Sequence, residues 1–506
     1  MPSMQGPRFA FGSFLLDAGA GTLLRNGIPV TVSHRGLKLL AAMAERPGEI
    51  LTKSELMDAA WPGIAVEQGN LTVQIAQLRK LLGRSTDGGE WIATVSRVGY
   101  RFAGVVEPVG GASRAPLPLP EKPSIAVLPF TGVGHRTNQE AFAEGLTEDL
   151  ITDLSRTAGL FVIARTSVFA YKGKGMAARD IATDLGVRYL LEGSVRRAGG
   201  RVRINAHLID ASSGQQVWAE RFDRELKDIF AVQDEVTGKI VEAMLGRIRM
   251  PPQRSRPRSL EAYELVLRAR KLIDDSPQTA REAHLLLARA ITLDPDYAEA
   301  HRWLAMNHWL GWLLWGEPVE PGRSRALELA RKAVALDPYD AGCHWVLGNL
   351  LAYDRSFAEA DQAFAKAIEL DPNDADVWAT LSDSAVLAGR VKESLENIRR
   401  AFRLNPFPGG LYYLTLAVAQ YANRDYQAAV ASLLREETYR NTSSRRFLAA
   451  SLAQLGRLDE ARSEVELFLL SNPHFTIGHF ISTQPFRDDA TRDHFVDGLR
   501  RAGFPE

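Results

Sequence analysis

One cysteine, Cys343, stands in 506 residues. No intrachain disulfide is available, and a reducing compartment is consistent with that. Cys343 falls in a helical pattern and reads as core, because a free cysteine behaves as a small apolar side chain. No stretch approaches about 18 consecutive uncharged apolar residues, so no membrane span is expected. The N-terminus, MPSMQGPRFAFGSFLLDAG, lacks the basic region and apolar run of a signal peptide. A cytoplasmic protein is the expectation. There is no G-x-x-x-x-G-K-[ST], so the glycine-rich Tyr171-Lys-Gly-Lys-Gly-Met is not read as a phosphate loop. His135 and His207 have no partners at metal-ligand spacing. No catalytic residue, metal or cofactor is assigned, and the chain is not expected to be an enzyme. Net charge is also missing, but only in total. Residues 1–107 carry 11 Lys+Arg against 9 Asp+Glu, residues 108–259 carry 22 against 17, and residues 260–506 carry 28 against 35. The acidic C-terminal half is a poor surface for nucleic acid.

What is present centres on Asn70 to Phe102, NLTVQIAQLRKLLGRSTDGGEWIATVSRVGYRF. At 100° per residue Leu71, Ile75, Leu78 and Leu82 form one apolar stripe. Asn70, Val73, Ala76, Gln77 and Lys80 fall on the other side. That outer face is short, polar and cationic, which suits a helix lying in a DNA major groove. Trp91 to Phe102 alternates like paired strands, with a turn near Ser96, Arg97 and Gly99. Upstream, Asn26-Gly27 between short apolar runs signals a hairpin. A helix is expected from Ser33 to about Glu45, stopped by Pro47-Gly48. The next opens with a capping box, Thr52-Lys-Ser-Glu55, and ends at Trp61-Pro62-Gly63.

This stretch resembles the recognition helix and wing of OmpR/PhoB-type winged helix-turn-helix regulators. The family pattern V-x-V-x-I-x-x-L-R-x-x-L-G appears as Leu71, Val73, Ile75, Leu78, Arg79, Leu82 and Gly83. The wing ending V-G-Y-R-F appears as Val98 to Phe102. The resemblance covers about residues 8–106 and implies double-stranded DNA as partner. In that family the positions of Ala76 and Gln77 are often arginines; here side-chain chemistry makes Asn70, Gln74 and Gln77 the expected polar base readers, with Val73 and Ala76 able to meet thymine methyls. Arg79 and Lys80 are placed for phosphates, along with Thr94 and Tyr100, and Arg97 sits at the wing tip. Gln pairs best with adenine, so A·T-rich half-sites are expected. No phosphoacceptor receiver domain precedes this module, so control is expected to come from elsewhere. A homodimer on DNA would offset a weakly charged DNA-binding domain.

Residues 108–122, rich in Pro, Gly and Ala, read as a flexible linker. From Pro123 to about 247 the order β-α-β-α-β-β-β-α predicts a mixed sheet with helices packed on it. SIAVLPF, GLTEDLITDL, YLLEGSVRR and QVWAERFDR resemble the TolB-like amino-terminal domain. Glu148, Asp149 and Asp153 lie along one helix there and read as a solvated face. Some proteins of this domain order are described as adenylate cyclases because a cyclase domain is fused to them, and no such domain is legible in this chain. The basic connector 246–258, GRIRMPPQRSRPR, reads as a solvated linker, with contact to DNA phosphates as the alternative.

From Ala262 onward the chain repeats. Pro295, Pro338, Pro372, Pro406 and Pro473 each follow Asp or Asn, at steps of 43, 34, 34 and 67. A period of 34 residues with paired helices is the tetratricopeptide (TPR) signature. About six repeats fill 260–475, and residues 476–506 hold a capping helix and tail. The second repeat carries Trp303, Trp309, Trp312 and Trp315. Trp309 and Trp312 either line a partner pocket or pack the lengthened helix onto its neighbours. The expected fold is multidomain, α+β and all-α: a winged helix over 8–107, a mixed α/β TolB-like domain over 123–247, and a TPR α-solenoid. The expected function is a DNA-binding transcriptional regulator controlled through its later domains, with a protein or small effector in the TPR groove. The alternative is a signalling scaffold in which DNA binding is minor.

Overall fold

A computed structural model describes residues 8–506 apart from 18–21, 26–27, 31, 61–67, 85–88, 96–97, 105, 110–116, 134–136, 158, 199, 247–254, 275, 315–316, 436–437 and 439–442. The Asn26-Gly27 turn, Trp61-Pro62-Gly63, Arg97, His135 and Trp315 therefore lie outside the described residues. Two compact units result, Met1–Pro116 and Leu117–Glu506.

In the first unit, β1 (Arg8–Phe11), β2 (Phe14–Asp17), β3 (Thr22–Arg25) and β4 (Ile28–Val30) form an antiparallel meander. Helices α1 (His34–Ala44), α2 (Lys53–Ala60) and α3 (Gln68–Leu82) follow. Ser33 caps α1 by accepting from Gly36 N–H. The Thr52/Glu55 capping box forms in both directions: Glu55 N–H donates to Thr52 Oγ1, and Thr52 N–H donates to Glu55 Oε2. β5 (Ile50–Thr52), β6 (Ile92–Val95) and β7 (Gly99–Phe102) make a second sheet in the order β5-β7-β6. β8 (Glu107–Val109) pairs with β1 and adds a fifth strand to the first sheet. The residues read as the start of the linker therefore belong to this unit. Phe11, Phe14, Trp91 and Phe102 stack edge-on where the two sheets and the helices meet.

The second unit opens with β9 (Ser124–Val127), β10 (Thr131–Gly132), α4 (Thr137–Ser155), β11 (Phe161–Val162), α5 (Arg165–Phe169) and α6 (Ala178–Leu185). Then come β12 (Tyr189–Ala198), β13 (Arg201–Asp210), β14 (Gln215–Glu225) and α7 (Ile229–Leu245). The sheet order is β11-β9-β12-β13-β14, with β10 beside β12. β9, β11 and β12 run parallel, while β12, β13 and β14 form antiparallel hairpins. The mixed sheet is as the sequence predicts; the two-residue β10 and the one-turn α5 are too short to leave a periodic signal.

Six helix pairs follow: α8 (Leu260–Arg270) with α9 (Pro277–Leu293), α10 (Ala298–Leu314) with α11 (Val319–Leu336), α12 (Ala341–Tyr353) with α13 (Phe357–Leu370), α14 (Ala375–Leu387) with α15 (Val391–Leu404), α16 (Gly410–Ala422) with α17 (Tyr426–Leu433), and α18 (Ser444–Gln454) with α19 (Leu458–Ser471). Cys343 is fully buried in α12, and burial pushes its thiol well up, as suits a core position. After α20 (Ile477–Thr483), α21 (Asp489–Ala502) does more than close the open end. It packs on α18 and reaches back to α14 and α16. His494 stacks on Tyr421 and bonds Tyr426 Oη at 2.9 Å, and Arg487 reaches Asp361 at 2.8 Å.

The α/β part and the repeats are joined at one regular place. Each of the first four repeats ends in Asp or Asn before its proline, and that side chain is almost fully buried. Asp294 accepts from Arg258 N–H (2.6 Å), Asp337 from Ser255 N–H (2.6 Å), Asp371 from Ser155 Oγ (2.5 Å) and Asn405 from Ser167 Oγ (2.6 Å). The helix α4 meets α8 closely. A Cβ on Gly145 would stand 2.4 Å from Leu267 Cδ1, so the tip of that leucine would have to turn aside to admit one.

Glu148, Asp149 and Asp153 are buried, not solvated. Glu148 meets Arg270 at 2.7 Å and also Arg165. Asp149 accepts from Tyr263 Oη at 2.6 Å and Gln233 Nε2 at 2.8 Å, and Asp153 takes Arg256 at 2.7 Å. The helical period gives the face, but these partners lie up to 122 residues away along the chain. Burial and the neighbouring Asp149 push the Tyr263 phenol well up. The described end of the connector is likewise engaged: Arg256 bridges Asp153 and Asp234, so its charge is neutralised within the unit.

Ser167 both donates to Asn405 and accepts from Phe407 N–H at 2.8 Å. Ser167→Ala leaves two buried groups unpaired and is expected to lower stability by about 1–3 kcal/mol, measured by denaturant unfolding of the full chain. Asn405→Ala in the same background should cost less than it does alone, because the pair is then already broken.

Candidate nucleic-acid interface

The stripe expected on α3 is the buried one: Leu71, Ile75, Leu78 and Leu82 are each 1% exposed. They pack against Leu39, Leu40, Leu56 and Phe102 in one core. This anchoring fixes the roll of the helix and turns the opposite face outward. Asn70, Val73, Ala76, Gln77 and Lys80 are all exposed, Val73 by 54%. Val73 and Ala76 are the apolar positions exposed on this face, alongside Asn70, Gln77 and Lys80. Gln74 lies at the rim of this face. It is half-buried, and its Oε1 accepts from Ser33 Oγ at 2.5 Å, next to the N-terminus of α1.

Arg79, Thr94 and Tyr100 come together in a different way from the outward face. The Arg79 guanidinium donates to Ile92 O at 2.9 and 2.7 Å and to Thr94 Oγ1 at 2.7 Å. It also meets Glu90 at 3.3 Å and lies 6.0 Å from the centre of the Tyr100 ring. Tyr100 is 6% exposed. These three side chains tie the last turns of α3 to the hairpin β6–β7, so they fix the angle between helix and wing. Helical spacing alone shows Arg79 as a surface cation; the hairpin that claims it is ten or more residues downstream. Arg97 lies outside the described residues. Arg101, exposed on β7, is a wing cation that the sequence reading left aside, although alternation in V-G-Y-R-F points it outward.

The base of the hairpin depends on one glycine. Leu51 of β5 pairs with Tyr100 of β7, and Thr52 with Gly99. A Cβ on Gly99 would stand 1.9 Å from Leu51 O, a backbone atom that has no room to yield. At the start of α2, Thr52 holds the Glu55 carboxyl below its usual range, through its hydroxyl first and its N–H second. That keeps an acceptor charged at the helix N-terminus, where the dipole favours it.

The tryptophans of the second repeat divide. Trp303 donates from Nε1 to Glu299 at 3.1 Å and lies between Arg270 and Arg302. Trp309 and Trp312 are half-buried against the core that holds Ala305, Ala326, Val346 and Leu350. The Trp309 ring lies 6.1 Å from that of Tyr353, and its buried Nε1 has no hydrogen-bond partner among the described residues. Among the described residues no group of His, Cys, Asp and Glu is placed to hold a metal. No helix of the described residues is long and apolar enough to cross a membrane.

Three family models match the chain in order. Residues 27–102 match the family described as transcriptional regulatory protein, C terminal. Residues 121–239 match the HilA/YgeH-like transcriptional regulator, second domain, and 341–374 match a tetratricopeptide repeat. These define the class: a DNA-binding transcriptional regulator with a winged helix and TPR repeats. The middle domain is thereby tied to regulators, and its TolB-like character rests on the sequence phrases alone.

Among individual relatives, the chain is 23% identical over 406 residues to the transcriptional regulator HilA of Salmonella paratyphi A, covering 79% of this chain and 71% of that one. It is 43% identical over 263 residues to putative adenylate cyclase 3 of Rhizobium meliloti, covering 51% of this chain and 45% of that one. The chain thus spans less than half the length of that relative. The transcriptional activator CadC of Escherichia coli is 34% identical over 100 residues, 20% of each chain.

Gly99→Ala is expected to cost about 1–3 kcal/mol or more, because the strand pair cannot widen without losing its bonds. Gly69→Ala, on α3 with nothing within 4 Å of a new Cβ, should be neutral or stabilise by about 0.5–1 kcal/mol. Thermal melts of residues 1–116 compare the two.

Proposed function

We propose that the chain is a cytoplasmic, sequence-specific regulator that lays α3 in the major groove of double-stranded DNA, and that the 117–506 unit sets its response. One observation carries the DNA assignment: α3 buries its whole apolar stripe and presents Asn70, Val73, Ala76, Gln77 and Lys80 together on the free side. Asn70 and Gln77 are the direct base readers, with Gln74 at the rim. Val73 and Ala76 meet thymine methyls. Lys80 takes phosphate, and Arg101 and Arg97 serve the wing. Arg79, Thr94 and Tyr100 act first by holding the wing against α3, and reach phosphate only through the surface they share with it. The relative named as a putative adenylate cyclase shares part of its length with this chain, and we assign the chain no enzymatic step.

Selection from a random DNA library tests this reading. Residues 1–116 are the right fragment, since a cut at 107 would remove most of β8. The expected motif is A·T-rich, and Gln77→Ala should relax one base pair at a cost of about 1–3 kcal/mol. A G-rich motif unchanged by Gln77→Ala would overturn the assignment. Binding should weaken with salt, with a shallow slope that reflects few phosphate contacts.

The solenoid is proposed to take a protein or small effector at the surface around Trp309 and Trp312. Replacing each with Ala in the full chain should impair regulation in cells while its melting temperature stays near that of the parent. If instead both variants melt early, with a loss of about 3–5 kcal/mol, the two rings are packing only.

A further inference from the structure

The amide of Gln74 is not free on the face of α3. At 100° per residue it lies about 40° from Asn70 and about 60° from Gln77, so it borders the outward positions on the side toward α1. Its Oε1 accepts from Ser33 Oγ at 2.5 Å. The same Ser33 oxygen accepts from Gly36 N–H at 3.0 Å, as the cap of α1. A hydroxyl has one hydrogen to give, and with its oxygen engaged by Gly36 that hydrogen goes to Gln74. Gly36 leaves room for this relay: a Cβ there would stand 3.0 Å from Ser33 Oγ and 3.1 Å from Val32 Cγ1.

An amide is planar, and its oxygen and nitrogen leave the same carbon on opposite sides. With Oε1 held by Ser33, the NH2 is the end left to a partner outside the domain. It donates to no group among the described residues. Gln74 thus differs from Gln77, whose amide is not held by any described residue and can turn either way. A glutamine that reads adenine needs both ends, the oxygen for N6–H and the nitrogen for N7. A glutamine confined to its NH2 meets acceptors: O4 of thymine, or O6 and N7 of guanine. Adenine offers it N7 alone, beside an amino donor that it cannot use, and cytosine offers only a donor.

We propose that Ser33 is a positioning residue for DNA selectivity: its hydroxyl holds Gln74 as a donor only, so that Gln74 selects the keto bases thymine and guanine over adenine and cytosine. This selectivity rests on the DNA-binding reading above and adds a class of base to it.

Selection from a random DNA library with the full chain and four variants tests it. In the parent, one position of the motif should favour T or G over A and C by about three- to tenfold, the worth of one hydrogen bond, and Gln74→Ala should abolish that preference. Ser33→Asp still caps α1 but can only accept, so it draws the NH2 inward and turns the oxygen out. The cleft of about 180 Å³ that Gln74 shares with Val32, Ser33 and Gly36 gives the amide room to turn over. The same position should then favour A or C. The added carboxylate repels phosphate and weakens all sequences alike, which leaves the order of bases unmoved. Ser33→Thr keeps a hydroxyl and should keep the parent's preference. Ser33→Asp combined with Gln74→Ala should show no preference at that position; a retained preference for A or C would mean that the carboxylate itself reads the base, and overturns the relay. A motif with no position sensitive to Gln74→Ala, or one whose sensitive position Ser33→Asp leaves unchanged, overturns it as well. A parent that selects no motif overturns the DNA-binding reading and this one with it, so the two failures are told apart.

Discussion

The second unit depends on four buried acceptors. Asp294, Asp337, Asp371 and Asn405 each end a repeat, and each receives a hydrogen bond from the α/β domain or its connector. A proline after the residue stops the helix, and the side chain ahead of it is left at the turn, free to bond across. Leaving one such group unpaired in the interior costs about 1–3 kcal/mol. Separating the two parts would exchange four such bonds for bonds to water and at the same time expose the apolar contacts around Tyr263 and Leu267. The period that marks a solenoid in the sequence is therefore also the spacing of a seam. After the fourth repeat the seam ends. Asn472, the equivalent residue of the sixth, bonds its own helix at Phe468 O, and there α21 folds back instead.

This arrangement changes what control through the repeats means. A TPR array on a flexible tether signals by bringing its partner near. Here the repeats and the α/β domain share the polar seam and an apolar core that includes Tyr263 and Leu267. A ligand on the solenoid can shift the α/β domain only by straining bonds that are buried and specific, and such seams favour two discrete arrangements over gradual ones.

Local signals in the sequence proved sufficient for local structure. The α3 stripe, the Thr52/Glu55 box and the 34-residue period each follow from neighbours within a few turns, and each appears in the structure. What escaped was long range. Nothing near Glu148 announces Arg270, and nothing near Arg256 announces Asp153. The same limit applies inside the candidate interface. A helical wheel shows Arg79 as a surface cation but not its bonds to Ile92 and Thr94, because the wheel does not contain them. β8 was hidden for a related reason: Glu107–Val109 has no pattern of its own and becomes a strand only because β1 offers an edge.

Once Arg79 is committed to the wing, the balance within the DNA-binding domain shifts. Of the positions on the outward face of α3, only Lys80 carries charge, while Asn70, Val73, Ala76 and Gln77 are neutral. Phosphate contacts supply most of the affinity of a DNA-binding domain and little of its selectivity; base-edge contacts do the reverse. On the proposed reading, a domain with 11 basic and 9 acidic residues in 1–107 and a neutral outward face on α3 would discriminate more than it holds. Holding has to come from number. Two such domains on one molecule multiply weak binding by an effective concentration, provided the copies are joined by something other than DNA.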